Sequence, residues 1–180
     1  GLKGLAAAER VAAVLEADVA AVEAELRAAA EAGLVRETPR GFAMLPAGRD
    51  AVLEALAAER AAIDPAAIDA AFTAFDVLDR EFKALVSSWQ QAAPAEADAA
   101  WAAALSGLEQ LHARLGPVVA QAAALVPRLA PFAGRFEQAL AAVRAGDRSM
   151  LASPLKESYH TVWFELHEEL IALSGRRREE

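Results

Sequence analysis

The chain has 180 residues, of which 56% are apolar, and its net charge is −8. This length suits one large domain or two small ones, with enough apolar residues for a sizeable core. The sequence contains no cysteine, which excludes a disulfide framework and a thiolate metal site, and its acidity disfavours unaided binding to nucleic acid.

Targeting signals are not apparent in the sequence. Charges or prolines interrupt the apolar runs before they reach the roughly 20 residues that a membrane span needs. The N-terminus lacks the basic segment and apolar core of a secretory signal. We therefore expect a cytoplasmic protein with no membrane partner. The start at Gly1, shortly before the first predicted helix, is typical of a fragment of a longer protein or of a processed N-terminus.

The first third of the chain predicts a helical unit with a β-hairpin. Asp18 is a natural N-cap for the second helix, and Gly33 is a natural stop. The run Thr38-Pro39-Arg40-Gly41 predicts a turn between two extended segments. In chain order we predict helices over 7–15 and 19–32, strands over 34–37 and 41–45, and a helix over 46–62.

This order of elements resembles the winged helix of MarR- and PadR-type transcription regulators. The run Leu45-Pro46-Ala47-Gly48-Arg49 is similar to the end of the wing in those families, and Glu31-Ala32-Gly33-Leu34-Val35-Arg36 is similar to the exit from their recognition helix. The resemblance covers residues 5–62. It implies a winged-helix unit over residues 1–63, with its first helix missing or reduced to Gly1-Leu2-Lys3-Gly4.

The charge of this unit decides whether DNA is an expected partner. In winged helices the second helix enters the major groove. In this chain the segment from Asp18 to Glu31 carries four acids and a single base, Arg27. Residues 1–60 contain ten acids against seven bases, a net charge of −3. Nucleic acid is therefore a disfavoured partner. If the chain is a regulator, its candidate DNA contacts are Arg27 and three arginines near the wing, Arg36, Arg40 and Arg49.

Residues 64–175 predict a bundle of four or five helices. Asp64-Pro65 marks the boundary, because aspartate caps a helix and proline suits its first turn. We predict that Gly116-Pro117 kinks or breaks the middle of the bundle sequence, and that Ser153-Pro154 opens a last helix ending at Gly175. Residues 176–180 form a charged tail.

The last predicted helix is apolar on two sides, which is typical of a central position in a bundle or of a helix that faces a second surface. One stripe comprises Leu155, Tyr159, Val162, Leu166, Leu170 and Leu173. The other side supplies the candidate ligand or partner surface, which comprises His160, Trp163, Phe164 and His167.

A second resemblance rests on this helix. The run Ser158-Tyr159-His160-Thr161-Val162-Trp163-Phe164-Glu165-Leu166-His167-Glu168-Glu169-Leu170, with Leu2-Lys3-Gly4 at the start, looks like a C-terminal module of actinobacterial phosphoenolpyruvate-utilising, pyruvate-phosphate-dikinase-like proteins. The resemblance implies an accessory module attached to an enzyme. The phosphorylatable histidine of the parent enzymes lies in a separate domain, and no residue of this chain matches that motif.

The histidines are interpreted as structural. His160 and His167 are two helical turns apart, about 10 Å along the axis, so one straight helix cannot offer both to a single zinc ion. We predict that each makes a polar contact inside the bundle, with a ligand pocket as the alternative. His112 lies on an apolar stripe and is predicted to be a hydrogen-bonded core histidine.

Charged residues interrupt the Phe-rich helix that follows Asp64. We predict that Asp76, Asp79, Arg80 and Glu81 form a solvated face, with an Asp76–Arg80 ion pair worth a few tenths of a kcal/mol, on the order of surface i,i+4 pairs.

No catalytic, cofactor-binding or metal-binding residue is predicted, because the sequence has no Gly-rich phosphate loop, serine elbow or cysteine nucleophile. We expect a non-catalytic regulatory or docking module whose partner is a protein or a covalently linked enzyme domain. The alternative is a MarR- or PadR-like DNA-binding regulator, whose helical bundle forms a homodimer or binds an effector.

Overall fold

The computed structural model describes residues 5–15 and 17–176 and is mainly helical, with a small antiparallel sheet near the N-terminus. The predicted fold class is confirmed. The chain divides into one unit within residues 1–62 and a second within residues 63–180. The reduced first helix predicted at residues 1–4 and the tail after Arg176 lie outside the described residues.

The N-terminal unit has the element order expected of a winged-helix-like start. Its elements are β1 (Leu5–Ala6), α1 (Ala8–Leu15), α2 (Val19–Glu31), β2 (Val35–Thr38), β3 (Gly41–Met44) and α3 (Pro46–Ala61). The carboxylate of Asp18 accepts a hydrogen bond from the Ala21 amide at 3.0 Å, so the predicted cap of α2 is confirmed.

Strand β1 is too short to be recognised from the sequence. It pairs antiparallel with β3, which makes β3 the central strand of the sheet. Gly41 allows this approach, because a Cβ at that position would lie 2.4 Å from the carbonyl oxygen of Ala6. Its φ of 116° is also a conformation that glycine adopts at little cost.

The core of the N-terminal unit is small. Within the described residues, its buried apolar side chains are Ala8, Ala12, Val22 and Phe42. The apolar spacing of α2 predicts Val19 on the inner face with Val22, and this is wrong, because Val19 is exposed. It is the first residue after the Asp18 cap, and the next turn, at Val22, is the one that faces inward.

The start of α3 packs directly on the chain that leaves α2. The Leu45 amide donates to the carbonyl oxygen of Leu34 at 2.9 Å. Gly48 is buried against that carbonyl, and a Cβ at Gly48 would lie 2.1 Å from the oxygen. The glycine of the Leu-Pro-Ala-Gly-Arg run is therefore required by a close backbone contact.

Among the described residues, the bundle contains five α-helices. They are α4 (Pro65–Gln90), α5 (Ala97–Leu125), α6 (Pro131–Arg144), α7 (Ser149–Ala152) and α8 (Tyr159–Ser174), with short 3-10 turns over Pro94–Glu96 and Pro127–Leu129. Asp64 caps α4 through the Ala66 amide at 3.0 Å, as predicted. No helix of the described residues is long and apolar enough to cross a membrane.

The predicted disruption at Gly116-Pro117 does not divide α5, which runs continuously through both residues. Proline removes the amide that would donate to the Ala113 carbonyl. Both Pro117 and Ala113 are exposed, so water can satisfy that carbonyl. The helix therefore continues through the proline at modest cost.

The predicted start of the last helix is wrong. Helix α8 begins at Tyr159, and Ser158 is its cap, accepting from the Thr161 amide at 3.2 Å. The Ser158 hydroxyl also donates to the Ser153 carbonyl at 2.8 Å, which holds a turn between the two serines. Leu155 lies in that turn and is 91% exposed, so it does not belong to the buried stripe.

Helix α8 packs against α4, α6 and α7. Its inward residues are almost completely buried: Tyr159, Val162, Trp163, Leu166, Leu170 and Leu173. The other side of α8 is not covered in this way, because His160 and Phe164 are exposed. Its C-terminus is Gly175 in the left-handed conformation, with φ 69°, as the sequence indicates.

Candidate functional site

The most unusual polar group of the bundle is the carboxylate of Asp79 on α4. The charged residues around it predict that Asp79 lies on a solvated face, and this is wrong, because the residue is only 3% exposed. It follows Phe75 by four residues and precedes Phe82 by three, so helical spacing puts it on the apolar face of α4. That spacing is the signal that could have revealed it.

Asp79 is held by side chains from two helices. The indole Nε1 of Trp163 donates to its Oδ1 at 2.8 Å, and Lys83 Nζ lies 2.6 Å from its Oδ2. Nδ1 of His167 lies 4.0 Å from Oδ1. We call these four residues the Asp79 cluster. Trp163 and His167 are one turn apart on α8, so the cluster connects α8 to α4.

Physical chemistry explains why the buried carboxylate is tolerated. A buried charge is costly unless it is paired and hydrogen-bonded. Asp79 has a cation and an N–H donor on its two oxygens, and Lys83 reaches it from the rim of the bundle with 65% of its side chain exposed. The cluster thus orients Trp163 within the aromatic core, where its ring lies 4.5 Å from that of Phe82.

The four residues of the predicted partner surface do not all lie at the surface. Trp163 is buried, and the His167 side chain is only 14% exposed. His160 and Phe164 are exposed, and the His160 ring stacks on Phe82 with 5.9 Å between centroids. Partial burial lowers the pKa of His160, against the opposing influence of the nearby Asp79 carboxylate. His160 and Phe164 remain the accessible part of the predicted surface.

A second polar chain links α5, α6 and α8. His112 Nδ1 lies 3.2 Å from the Tyr159 hydroxyl, and His112 Nε2 lies 2.9 Å from Glu137 Oε1. The order of carboxylate, imidazole and hydroxyl is that of a catalytic triad. However, Tyr159 is fully buried, and burial raises the pKa of its hydroxyl far above the usual range. The geometry supports a structural role, as predicted for His112.

Arg135 is a buried cation that the sequence pattern does not predict. Its guanidinium donates to the carboxylates of Glu157 and Glu165, with Nε 2.9 Å from Glu157 Oε1. It lies between Phe132 and Phe136 on the buried face of α6. The pair with Glu157 fixes the turn before α8.

The candidate DNA contacts of the N-terminal unit are exposed, but one of them is paired with an acid of its own helix. Arg27 on α2 pairs with Glu23 one turn earlier, with 2.8 Å between NH2 and Oε1. Arg36 lies on β2, Arg40 in the hairpin turn, and Arg49 in the first turn of α3. The arginine on α2 is therefore already engaged by an acid on the same helix.

The described residues contain no cluster of three or more histidine and carboxylate side chains that could hold a metal ion. Comparison of the chain with protein-family models, with curated proteins and with solved structures gives no match. The function proposed below therefore depends on the residues themselves.

Proposed function

We propose that the chain is a non-catalytic docking module, in which the N-terminal unit binds a protein surface and the bundle is a stable support. The observation that carries this proposal is the acidic character of α2. This is the helix that would have to enter a phosphate-lined groove if the unit read DNA.

The exposed side chains of α2 disfavour an anionic partner. Glu25 and Glu31 are exposed, and the positive charge of Arg27 is offset by Glu23. Bases are read mainly by arginine, lysine and amide side chains, and acids repel the phosphates around them.

Two exposed apolar residues flank the Asp18 cap of α2. Leu15 ends α1 and Val19 begins α2, and both are exposed beside the carboxylate. Acidic and apolar side chains together suit a protein surface with basic and apolar residues, since complementary charge guides association and apolar contact stabilises it. The Glu137–His112–Tyr159 chain supports the non-catalytic part of the proposal, because its hydroxyl is inaccessible.

The resemblance of residues 158–170 to the accessory module of phosphoenolpyruvate-utilising enzymes suggests the kind of partner. An enzyme domain, in the same or a separate chain, is the partner we favour. The second candidate function is a MarR- or PadR-like regulator, which the exposed arginines Arg36, Arg40 and Arg49 favour.

A titration with random duplex DNA separates the two candidates. At near-physiological salt we expect weak binding or none, because the α2 acids oppose the phosphates. Sub-micromolar, salt-sensitive binding in a mobility-shift assay would contradict the docking proposal. In that case, loss of binding in an Arg36→Ala, Arg40→Ala, Arg49→Ala variant would assign the contact to the wing, with Arg176→Ala in the bundle as the control.

A further inference from the structure

Helix α3 has little cover from the other elements of its own unit. Gly48, in its first turn, is its only buried residue. Leu53, in its middle, is 61% exposed. A leucine this exposed at the centre of a 16-residue helix leaves an apolar surface that a partner can cover.

Two neighbouring strips of side chains run along this helix. The outer strip comprises Asp50, Leu53, Ala57 and Arg60, all of them exposed. The inner strip comprises Arg49, which is exposed, and Val52, Leu56 and Glu59, which are half-buried. Steps of three, four and three residues keep each strip on one side of the helix.

Each strip is apolar in the middle and carries opposite charges at its ends. The outer strip begins with the acid Asp50 and ends with the base Arg60. The inner strip has the reverse order, from Arg49 to Glu59. Such a pattern is complementary to itself when a second copy of the helix runs in the opposite direction.

We infer that two copies of this chain associate through α3 in an antiparallel, two-fold symmetric pair. Asp50 then faces the second copy's Arg60, and Leu53 faces the second copy's Ala57. A two-fold axis repeats each contact, so a single ion pair becomes two.

The inner strip supports the same register. Val52 faces the second copy's Leu56. The paired residues of the outer strip are symmetric about residue 55, and those of the inner strip about residue 54. A single two-fold axis near these two residues therefore accommodates both strips.

The inference goes beyond the proposed docking function and uses different residues. Docking through the acidic α2 requires no second copy, and pairing through α3 leaves Leu15 and Val19 exposed for another protein. A helix pair of this length buries less than a standard interface, so we expect dissociation on the order of micromolar concentration.

Sedimentation of the full chain over a micromolar concentration series tests the inference. We expect a monomer–dimer equilibrium, and we expect Leu53→Glu to shift it toward monomer by at least about tenfold in Kd, because it places two glutamates in the apolar centre. Leu155→Glu, at a leucine that is 91% exposed in the bundle, is the matched control and should leave the equilibrium unchanged.

Charge exchange tests the antiparallel register. Asp50→Arg and Arg60→Asp should each weaken the dimer, and the double variant should restore it, because both residues of each pair are then reversed. Circular dichroism checks that the exposed substitutions leave the helices folded. A wild-type chain that stays monomeric, a Leu53→Glu dimer of unchanged affinity, or a double variant no tighter than the single ones would overturn the inference. None of these results depends on the DNA titration.

Discussion

The two units of this chain are built in different ways. Among the described residues, the N-terminal unit buries three small or medium side chains and a single aromatic ring, that of Phe42. The bundle buries all the other aromatic core residues, along with a paired carboxylate and a paired guanidinium. Helix caps, a hairpin turn and close backbone contacts at glycine hold much of the N-terminal unit together, whereas side-chain packing is the main contribution in the bundle.

This difference has a functional consequence. A small unit buries a smaller share of its surface than a large one and gains less stability from its core. The N-terminal unit also leaves Leu15, Val19 and Leu53 exposed. A region with a small core and exposed apolar side chains is suited to binding a partner. The larger core of the bundle is suited to providing stability.

The largest effect is expected in the centre of the bundle. Trp163→Ala should lower the free energy of unfolding by about 3–5 kcal/mol, since it empties a large buried site and frees the Asp79 carboxylate. Phe164→Ala, at the next and exposed position, should change it by only about 0.5 kcal/mol. Chemical denaturation followed by circular dichroism measures both. Equal effects would mean that the packing of α8 is not what distinguishes the bundle.

A smaller effect is expected from the Asp79 cluster. Asp79→Ala should cost about 1–3 kcal/mol, because it leaves the buried Trp163 N–H without its acceptor. Asp76 forms the same kind of i,i+4 ion pair on the same helix, with Arg80, but on the surface. Asp76→Ala should therefore cost only about 0.2–0.5 kcal/mol. If the two variants unfold at the same denaturant concentration, burial of the Asp79 carboxylate does not contribute to stability.

The smallest effect tests the N-terminal unit. Gly48→Ala places a methyl group against the Leu34 carbonyl and should cost about 1–2 kcal/mol, within the range for overpacked sites. Gly116→Ala in α5 meets no atom within 4 Å and should change stability by about 0.5 kcal/mol or less, since its gain in helix propensity is offset by the proline that follows. Amide hydrogen exchange measured separately over residues 19–44 and over α5 reports each unit. Unchanged protection over residues 19–44 in Gly48→Ala would show that the contact at Leu34 is not required.

Local chemistry was sufficient to predict most of the helices and the hairpin. Asp18 and Asp64 cap the helices that they were expected to cap, and Gly175 ends the last one, because these residues act through backbone groups a few positions away. The apolar periodicity of α8 likewise predicted the buried side that runs from Tyr159 to Leu173, since residues at helical spacing share one face.

Competing local signals were not resolved by the sequence. Ser153-Pro154 and Ser158 are both typical of a helix start. The Arg135–Glu157 ion pair and the hydrogen bond from Ser158 to the Ser153 carbonyl hold a turn between them, so the helix begins after Ser158. Pro117 can end a helix or be carried within one. It lies within α5 because it is on the exposed side of that helix, and this exposure is a property of the assembled bundle.

Helical spacing places Asp79 on the apolar face of α4, but whether its charge is buried there was decided by tertiary structure. A lone aspartate among phenylalanines favours a solvated face, unless another helix brings it a donor. Trp163 lies 84 residues away in the chain and provides that donor, as Glu157 and Glu165 do for Arg135. The sequence by itself determined where helices start, turn and face, because those choices depend on neighbours a few residues apart. Which charges could be buried depended on partners from distant helices, and only the packed bundle brings those together.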